Sequence, residues 1–238
     1  MRTRTPRLLA RWAHITASIA ALLFLSSGTV RIASIRNYLV AFSLLLLVTM
    51  FAVEPSLAQE RANPRDAGTD DSRVATGLLF LLTLAVAGLS VGHCRRGFNT
   101  SPPICHLALA VFLISGAFQM WAMIVNPFFS PVVRIQTERG HHLILTGPYR
   151  LMRHPGYFAM SISVPATALA IGSWLALVPA VAFVLLIRRR AQFEDEFLRK
   201  NLSGYADYAR GVPARLMPKP RENRGANEAG EGPTCQPQ

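Results

Sequence analysis

The chain has 238 residues and a net charge of +12, with 51% hydrophobic and only 16% charged residues; a soluble domain carries about 25% charged residues. Charges are absent from 12–30, 37–53, 74–94, 97–133 and 154–187, and roughly 20 mostly apolar residues suffice for a helix to span a bilayer. This excludes an ordinary soluble globule and a disordered chain, and it points to an all-α, polytopic transmembrane bundle. The basic balance does not indicate nucleic acid, because the arginines fall between apolar runs and at the chain ends rather than on one soluble face.

In chain order, Arg2, Arg4, Arg7 and Arg11 precede the apolar stretch 12–30. Ser26-Ser27-Gly28 offers the small residues of a signal-peptide cleavage site. Further apolar runs follow, however, and the basic flank suits a retained first helix anchored in the cytoplasm. Residues 38–53 form a second span. A polar loop is expected over 54–73, where Pro55, Pro64 and Gly68 break any helix. Residues 74–92 and 104–125 form a third and a fourth span, joined by a short basic loop. The 34 residues of 154–187 would reach about 51 Å as one helix, against a hydrocarbon core of about 30 Å. Gly172-Ser173 supplies a turn near the middle, with Pro165 and Pro179 as kink sites. The pattern predicts a tight helical hairpin and about six spans in all.

Both termini then share one side with 134–153. Arginines concentrate there, including Arg188-Arg189-Arg190, so that side is the cytoplasm. Phe193, Phe197, Leu198 and Leu202 recur at helical spacing between charges, which predicts a cytoplasmic amphipathic extension ended by Ser203-Gly204. The tail beyond Pro218 is polar and reads as disordered. The organisation is therefore 1–125 as N-terminal spans, 126–218 as the functional core and 219–238 as a tail. Cys94, Cys105 and Cys235 form no CxxC or metal-ligand spacing, so no metal is expected. Cys235 lies four residues from the end, but its neighbours are not aliphatic and its likeness to a prenylation box is coincidental.

Three clusters on the cytoplasmic face carry candidate chemistry. The first runs from Gly147 through Pro148, Tyr149, Arg150, Arg153, His154, Pro155 and Gly156 to Tyr157. Interfacial anchoring would explain its Tyr and Arg content. His154-Pro155 at the hairpin entrance argues for more, since the proline opens a helix whose free N–H groups suit an anion. The second cluster is Arg190, Glu194 and Asp195. Arg190 and Glu194 share a helix face, which a simple i,i+4 ion pair would also explain. The third runs over 136–144 with His141-His142, adjacent histidines that make a poor metal pair.

These runs, with Gly204-Tyr205-Ala206-Asp207-Tyr208 and Arg215-Leu216-Met217-Pro218, resemble the isoprenylcysteine carboxyl methyltransferase family, which is related to membrane phospholipid N-methyltransferases. Asn126-Pro127-Phe128-Phe129-Ser130, Arg134-Ile135-Gln136 and the loop run Glu54-Pro55-Ser56-Leu57-Ala58-Gln59-Glu60-Arg61 resemble its bacterial branch, implying a bacterial inner-membrane protein. The resemblance covers roughly 126–218. It implies an S-adenosylmethionine-dependent methyltransferase. The implied cofactor residues are Gln136, His141, His142, Leu143, Ile144, Tyr149, Arg153, His154, Pro155, Gly156, Tyr157, Glu194 and Asp195. Arg190 takes the substrate-facing position, and Arg190 and Glu194 are the catalytic pair. The family's paired glutamates read here as Glu194-Asp195, with Glu196 as the fallback.

The expected acceptor is a lipophilic molecule in the bilayer. A carboxylate needs only an orienting cation, whereas an amine needs a base, so Arg190 favours a carboxylate. Phospholipid amine methylation and a non-catalytic lipid-binding protein are the alternatives. No obligate protein partner is implied.

Overall fold

The computed structural model describes residues 4–62, 72–94 and 99–217. Eight α-helices are present among them: α1 (Arg4–Ser27), α2 (Ala33–Ala52), α3 (Pro55–Ala62), α4 (Ser72–His93), α5 (Pro102–Val125), α6 (Pro155–Ile171), α7 (Leu177–Asn201) and α8 (Tyr205–Gly211). Two short 3-10 turns, Thr137–Arg139 and Gly147–Arg150, lie between α5 and α6. No strand occurs among the described residues; one isolated bridge joins Asn99 and Ser173.

Four helices, α1, α2, α4 and α5, are long and apolar enough to cross a membrane by length and composition. Their buried faces supply Leu23, Ile35, Tyr38, Leu84 and Ala87, all with no exposed surface. Their outer faces leave Leu25, Val40, Leu44, Leu78 and Ile114 more than half exposed. Apolar residues on every face are what a helix needs when lipid covers its outside. Small residues let the helices approach closely. A Cβ on Gly88 would stand 1.9 Å from the Ser26 hydroxyl, and one on Gly92 would stand 2.1 Å from the Ser27 carbonyl oxygen.

The apolar stretch 154–187 folds as a hairpin. Its first arm, α6, has 17 residues and rises about 26 Å. Gly172 closes it at φ +115°, a conformation that side chains with a Cβ avoid. The hairpin tip is tied to the α4–α5 connection, where the Thr100 N–H donates to the Gly172 carbonyl at 2.8 Å. The second arm does not stop at the charged boundary. It continues as α7 for 25 residues, through Arg188-Arg189-Arg190, to Asn201. Gly204, at φ +77°, then turns the chain into α8.

Several boundaries differ from the sequence expectation: α2 begins at Ala33 rather than Tyr38, and α4 and α5 each begin two residues early. Helix α1 begins at Arg4 rather than Trp12, so Arg7 and Arg11 lie on the helix itself. The 54–73 segment is not simply a loop, because it contains α3. Pro55 opens that helix instead of breaking it, a first-turn position where a missing N–H does no harm. Pro64, Gly68 and the 219–238 tail lie outside the described residues, as do Arg2, Arg95 and Arg96.

Candidate functional site

The start of α6 organises the site. Pro155 is its first residue, and no side chain caps its N-terminus, so the first-turn N–H groups of Gly156 and Tyr157 have no capping partner. The residues just before it are clamped by the C-terminal segment. The Arg153 N–H donates to the Ala214 carbonyl and the His154 N–H to the Arg215 carbonyl, both at 3.0 Å. The Tyr208 hydroxyl donates to the Tyr149 carbonyl at 2.7 Å. Helix α8 and the strap after it therefore fix where α6 begins.

Asp195 of α7 is the anchor beneath this entry. It is fully buried. Arg153 Nε donates to its Oδ1 at 2.7 Å and Nη2 to its Oδ2 at 3.3 Å. The Tyr205 hydroxyl donates to Oδ1 at 2.8 Å, and Arg199 Nε to Oδ2 at 3.1 Å. His154 Nε2 lies 3.4 Å from Oδ1, and Arg215 Nη2 lies 3.5 Å from Oδ2. Burial alone would raise the Asp195 pKa. The hydrogen bonds from His154, Arg153 and Tyr205, with the charge of Arg153, outweigh it and hold the carboxyl well below the usual carboxylate range. The remaining Arg153 donors also have partners, with Nη1 reaching the Val212 carbonyl at 2.6 Å.

One residue earlier on α7, Glu194 points the other way. The Tyr157 hydroxyl donates to Glu194 Oε2 at 2.5 Å and accepts from Arg190 Nε at 2.8 Å. Arg190 and Glu194 thus share a face as their spacing predicts, and the tyrosine hydroxyl joins them. Arg190 is buried. Its other nitrogens donate to the Ser72 hydroxyl at 3.2 Å and to the Pro131 carbonyl. Glu196, the fallback acid, is exposed on the far side.

The segment between α5 and α6 is held from α3. Arg134 binds Glu60 with Nε and Nη2, at 3.1 and 2.9 Å, and also pairs with Glu138. Gln136 is fully buried. Its amide donates to the Phe128 carbonyl at 2.9 Å and its oxygen accepts from Arg139. The His141 ring stacks on Phe128, centroids 4.5 Å apart, and its Nδ1 accepts from the Gln136 N–H. Burial, then the charges of His142, Arg134 and Arg139, push the His141 pKa down to about 4.

A cavity of about 650 Å³ connects these parts, within the ~300–1,000 Å³ of small-molecule sites. Its wall includes His141, His142, Leu143, Ile144, Tyr149, Arg153, His154, Pro155, Gly156, Tyr157, Arg190 and Glu194. Twelve of the fourteen residues expected from the sequence are brought together. Gln136 and Asp195 are not on the wall; they sit behind it, fastening the segments that form it. Tyr205, Tyr208 and Phe128 join the wall, and an apolar limb runs on between α2 and α5 past Phe42, Leu45 and Met120. Glu60 was missed as a structural anchor, although its run carried part of the family resemblance. No group of three or more metal-ligating side chains occurs among the described residues.

Comparison with known proteins agrees with the motifs. The phospholipid methyltransferase family matches residues 104–204, from the start of α5 to the glycine after α7. The chain is 33% identical over 119 residues to a probable protein-S-isoprenylcysteine O-methyltransferase of Oryza sativa subsp. indica, covering 48% of this chain and 61% of that protein. It is 28% identical over 140 residues to the cobalt-zinc-cadmium resistance protein CzcN of Cupriavidus metallidurans, covering 56% and 59%. It is 26% identical over 117 residues to protein-S-isoprenylcysteine O-methyltransferase B of Arabidopsis thaliana, covering 47% and 58%. The chain thus spans about 60% of the length of these three relatives. These matches support the isoprenylcysteine-methyltransferase-like family at modest identity.

Proposed function

We propose that this isoprenylcysteine-methyltransferase-like chain is an integral membrane methyltransferase that uses S-adenosylmethionine and methylates the carboxylate of a lipophilic acceptor. One observation carries the reading. A single cavity joins an uncapped helix N-terminus, one carboxylate and several tyrosines to an apolar limb at the level of the spans.

The donor set fits the cofactor. Its amino-acid carboxylate matches the free N–H groups of Gly156 and Tyr157 at the positive end of α6. Its cationic portion matches Glu194 and the π faces of Tyr149, Tyr157 and Tyr205. The strip from His141 to Ile144 offers stacking and apolar surface to an adenine. When bound, S-adenosylmethionine supplies a methyl group made electrophilic by a sulfonium.

The protein contributes position and charge, which suffice for an in-line displacement. Six arginines and one carboxylate line the cavity among the described residues, so an acidic acceptor is favoured over an amine. Arg190 would orient that acid by exchanging its Ser72 and Pro131 partners for the acceptor's two oxygens. Tyr157 holds Arg190 in register with Glu194. The acceptor's apolar chain would lie along the limb past Phe42, Leu45 and Met120. Arg153, on the wall, and Asp195, behind it, set the start of α6. Residues 126–218 form the methyltransferase core, with the site on the cytoplasmic side of the membrane.

Titration of S-adenosylmethionine into detergent-purified wild type, His154→Ala and Glu194→Gln tests this. Saturable wild-type binding, weakened in both variants, is the expected result. Methyl transfer to a prenylated cysteine carboxylate or a long-chain acid, but not to phosphatidylethanolamine, completes it. A well-folded wild type that binds no cofactor, with or without such an acid present, overturns the reading.

A further inference from the structure

Three of the six cavity arginines are engaged by the protein. Arg134 pairs with Glu60 and Glu138, Arg153 with Asp195, and Arg190 with the Tyr157 hydroxyl and its neighbours. The other three come from separate helices: Arg11 of α1, Arg61 of α3 and Arg73 of α4. No carboxylate among the described residues pairs with any of them.

Arg61 is the centre of this group. It is half-buried. Its guanidinium lies over the Phe129 ring, 5.3 Å from the centroid, and Nη1 donates to the Phe129 carbonyl at 3.2 Å. A guanidinium has five N–H donors, and the rest have no acceptor among the described residues. Burial, then the nearby charge of Arg11, lower its pKa to about 10, so it stays cationic at neutral pH. A half-buried cation beside a second cation, facing a cavity, is a charge arrangement that an anion stabilises.

The surroundings select the kind of anion. The cavity wall next to Arg61 and Arg11 continues into Ile15, Phe42, Leu45 and Leu46, which belong to helices at membrane level. An anion there has apolar surface on one side and guanidinium forks on the other. Arginine forks match phosphate oxygens.

We propose that Arg61 and Arg11, with Arg73 at the rim, form a binding site for the phosphate headgroup of an acidic membrane lipid, separate from the Arg190 position. Its acyl chains lie along Ile15 and Leu46, leaving the limb past Phe42, Leu45 and Met120 to the acceptor's chain. Arg61 and Tyr157 line the same cavity, so a lipid held there adjoins the Arg190–Glu194 node without replacing it.

The test uses the full chain purified in detergent, with thermal unfolding followed during titration of three probes. These are a short-chain phosphatidic acid, the diacylglycerol with the same chains, and inorganic phosphate. Wild type should be stabilised saturably by the phosphatidic acid and little by the diacylglycerol. Arg61→Gln should weaken the apparent affinity roughly tenfold or more, as loss of a charge-assisted fork does. Arg61→Lys should retain part of it. Arg36→Gln should behave as wild type, because Arg36 bonds the Val30 and Arg31 carbonyls at the α1–α2 turn. If Arg61→Gln gives no cooperative melt, Arg11→Gln on the exposed side chain carries the test, with a smaller loss expected. Equal phosphatidic acid affinity in wild type, Arg61→Gln and Arg11→Gln overturns the site. Inorganic phosphate stabilising as strongly as the lipid overturns the headgroup assignment and gives the site to a soluble anion.

Discussion

Asp195→Ala removes the carboxylate that gathers Arg153, His154, Tyr205, Arg199 and Arg215 behind the cavity wall. The Arg153 side chain is only 4% exposed and that of Asp195 only 1%, so the guanidinium left behind would be a buried, unpaired charge. Breaking such a pair costs about 3–5 kcal/mol. For a chain of this size that lowers the melting temperature by roughly 10 °C. Asp195→Asn keeps the shape and one acceptor oxygen, and should cost about 2 kcal/mol. The assay is thermal or urea unfolding in detergent, with the exposed neighbour Glu196→Ala as control. The pH dependence supplies a second check. The folded carboxyl is held below its unfolded value of about 3.9, so its contribution is complete above that pH and fades only as the pH falls further. The stability gap between wild type and Asp195→Asn should therefore be constant from neutral pH down to about pH 5. A loss under about 1 kcal/mol for Asp195→Ala, or a loss matched by Glu196→Ala, would show that the anchor does not hold α6.

Tyr157→Phe deletes the hydroxyl between Glu194 and Arg190, and turnover should fall roughly tenfold or more while cofactor affinity falls less; equal losses would remove Tyr157 from the orienting role. Gly156→Ala would place a Cβ 2.3 Å from two atoms of the Phe129 ring and should destabilise by about 1–3 kcal/mol. Gly77→Ala meets nothing within 4 Å and should be neutral or stabilising by up to about 1 kcal/mol, so a matching loss in both variants would refute the packing argument. The His141 pKa is about 4 in the folded chain against about 6.5 unfolded. The unfolded chain therefore takes up the proton first, and the His141 contribution is full above pH 6.5 and declines towards pH 4. His141→Gln should flatten that limb of the stability profile; an unchanged profile would assign it to other groups.

What the sequence revealed and what it hid follow from the range of the interactions involved. Apolar runs report burial or lipid contact locally, so α1, α2, α4 and α5 were readable, and so were the Gly172 turn and the Gly204 end of α7. Helix α3 was not, because Pro55 has opposite meanings at a helix start and inside a helix, and only the chain path selects one. The acid pair shows the same limit inside the site. Adjacent residues on a helix differ by about 100° in direction, so Glu194 and Asp195 cannot share a task. Their identity does not say which faces the cavity. That is decided about ten residues later, where Tyr205 and the strap through Arg215 close over one side of α7 and claim Asp195. Arg153 is drawn to the same side, 42 positions away from its carboxylate. Glu194 is left with Tyr157 and the cavity. The chemistry of the wall is thus written in the local motifs, while its division between chemistry and support is set by the strap that packs against it.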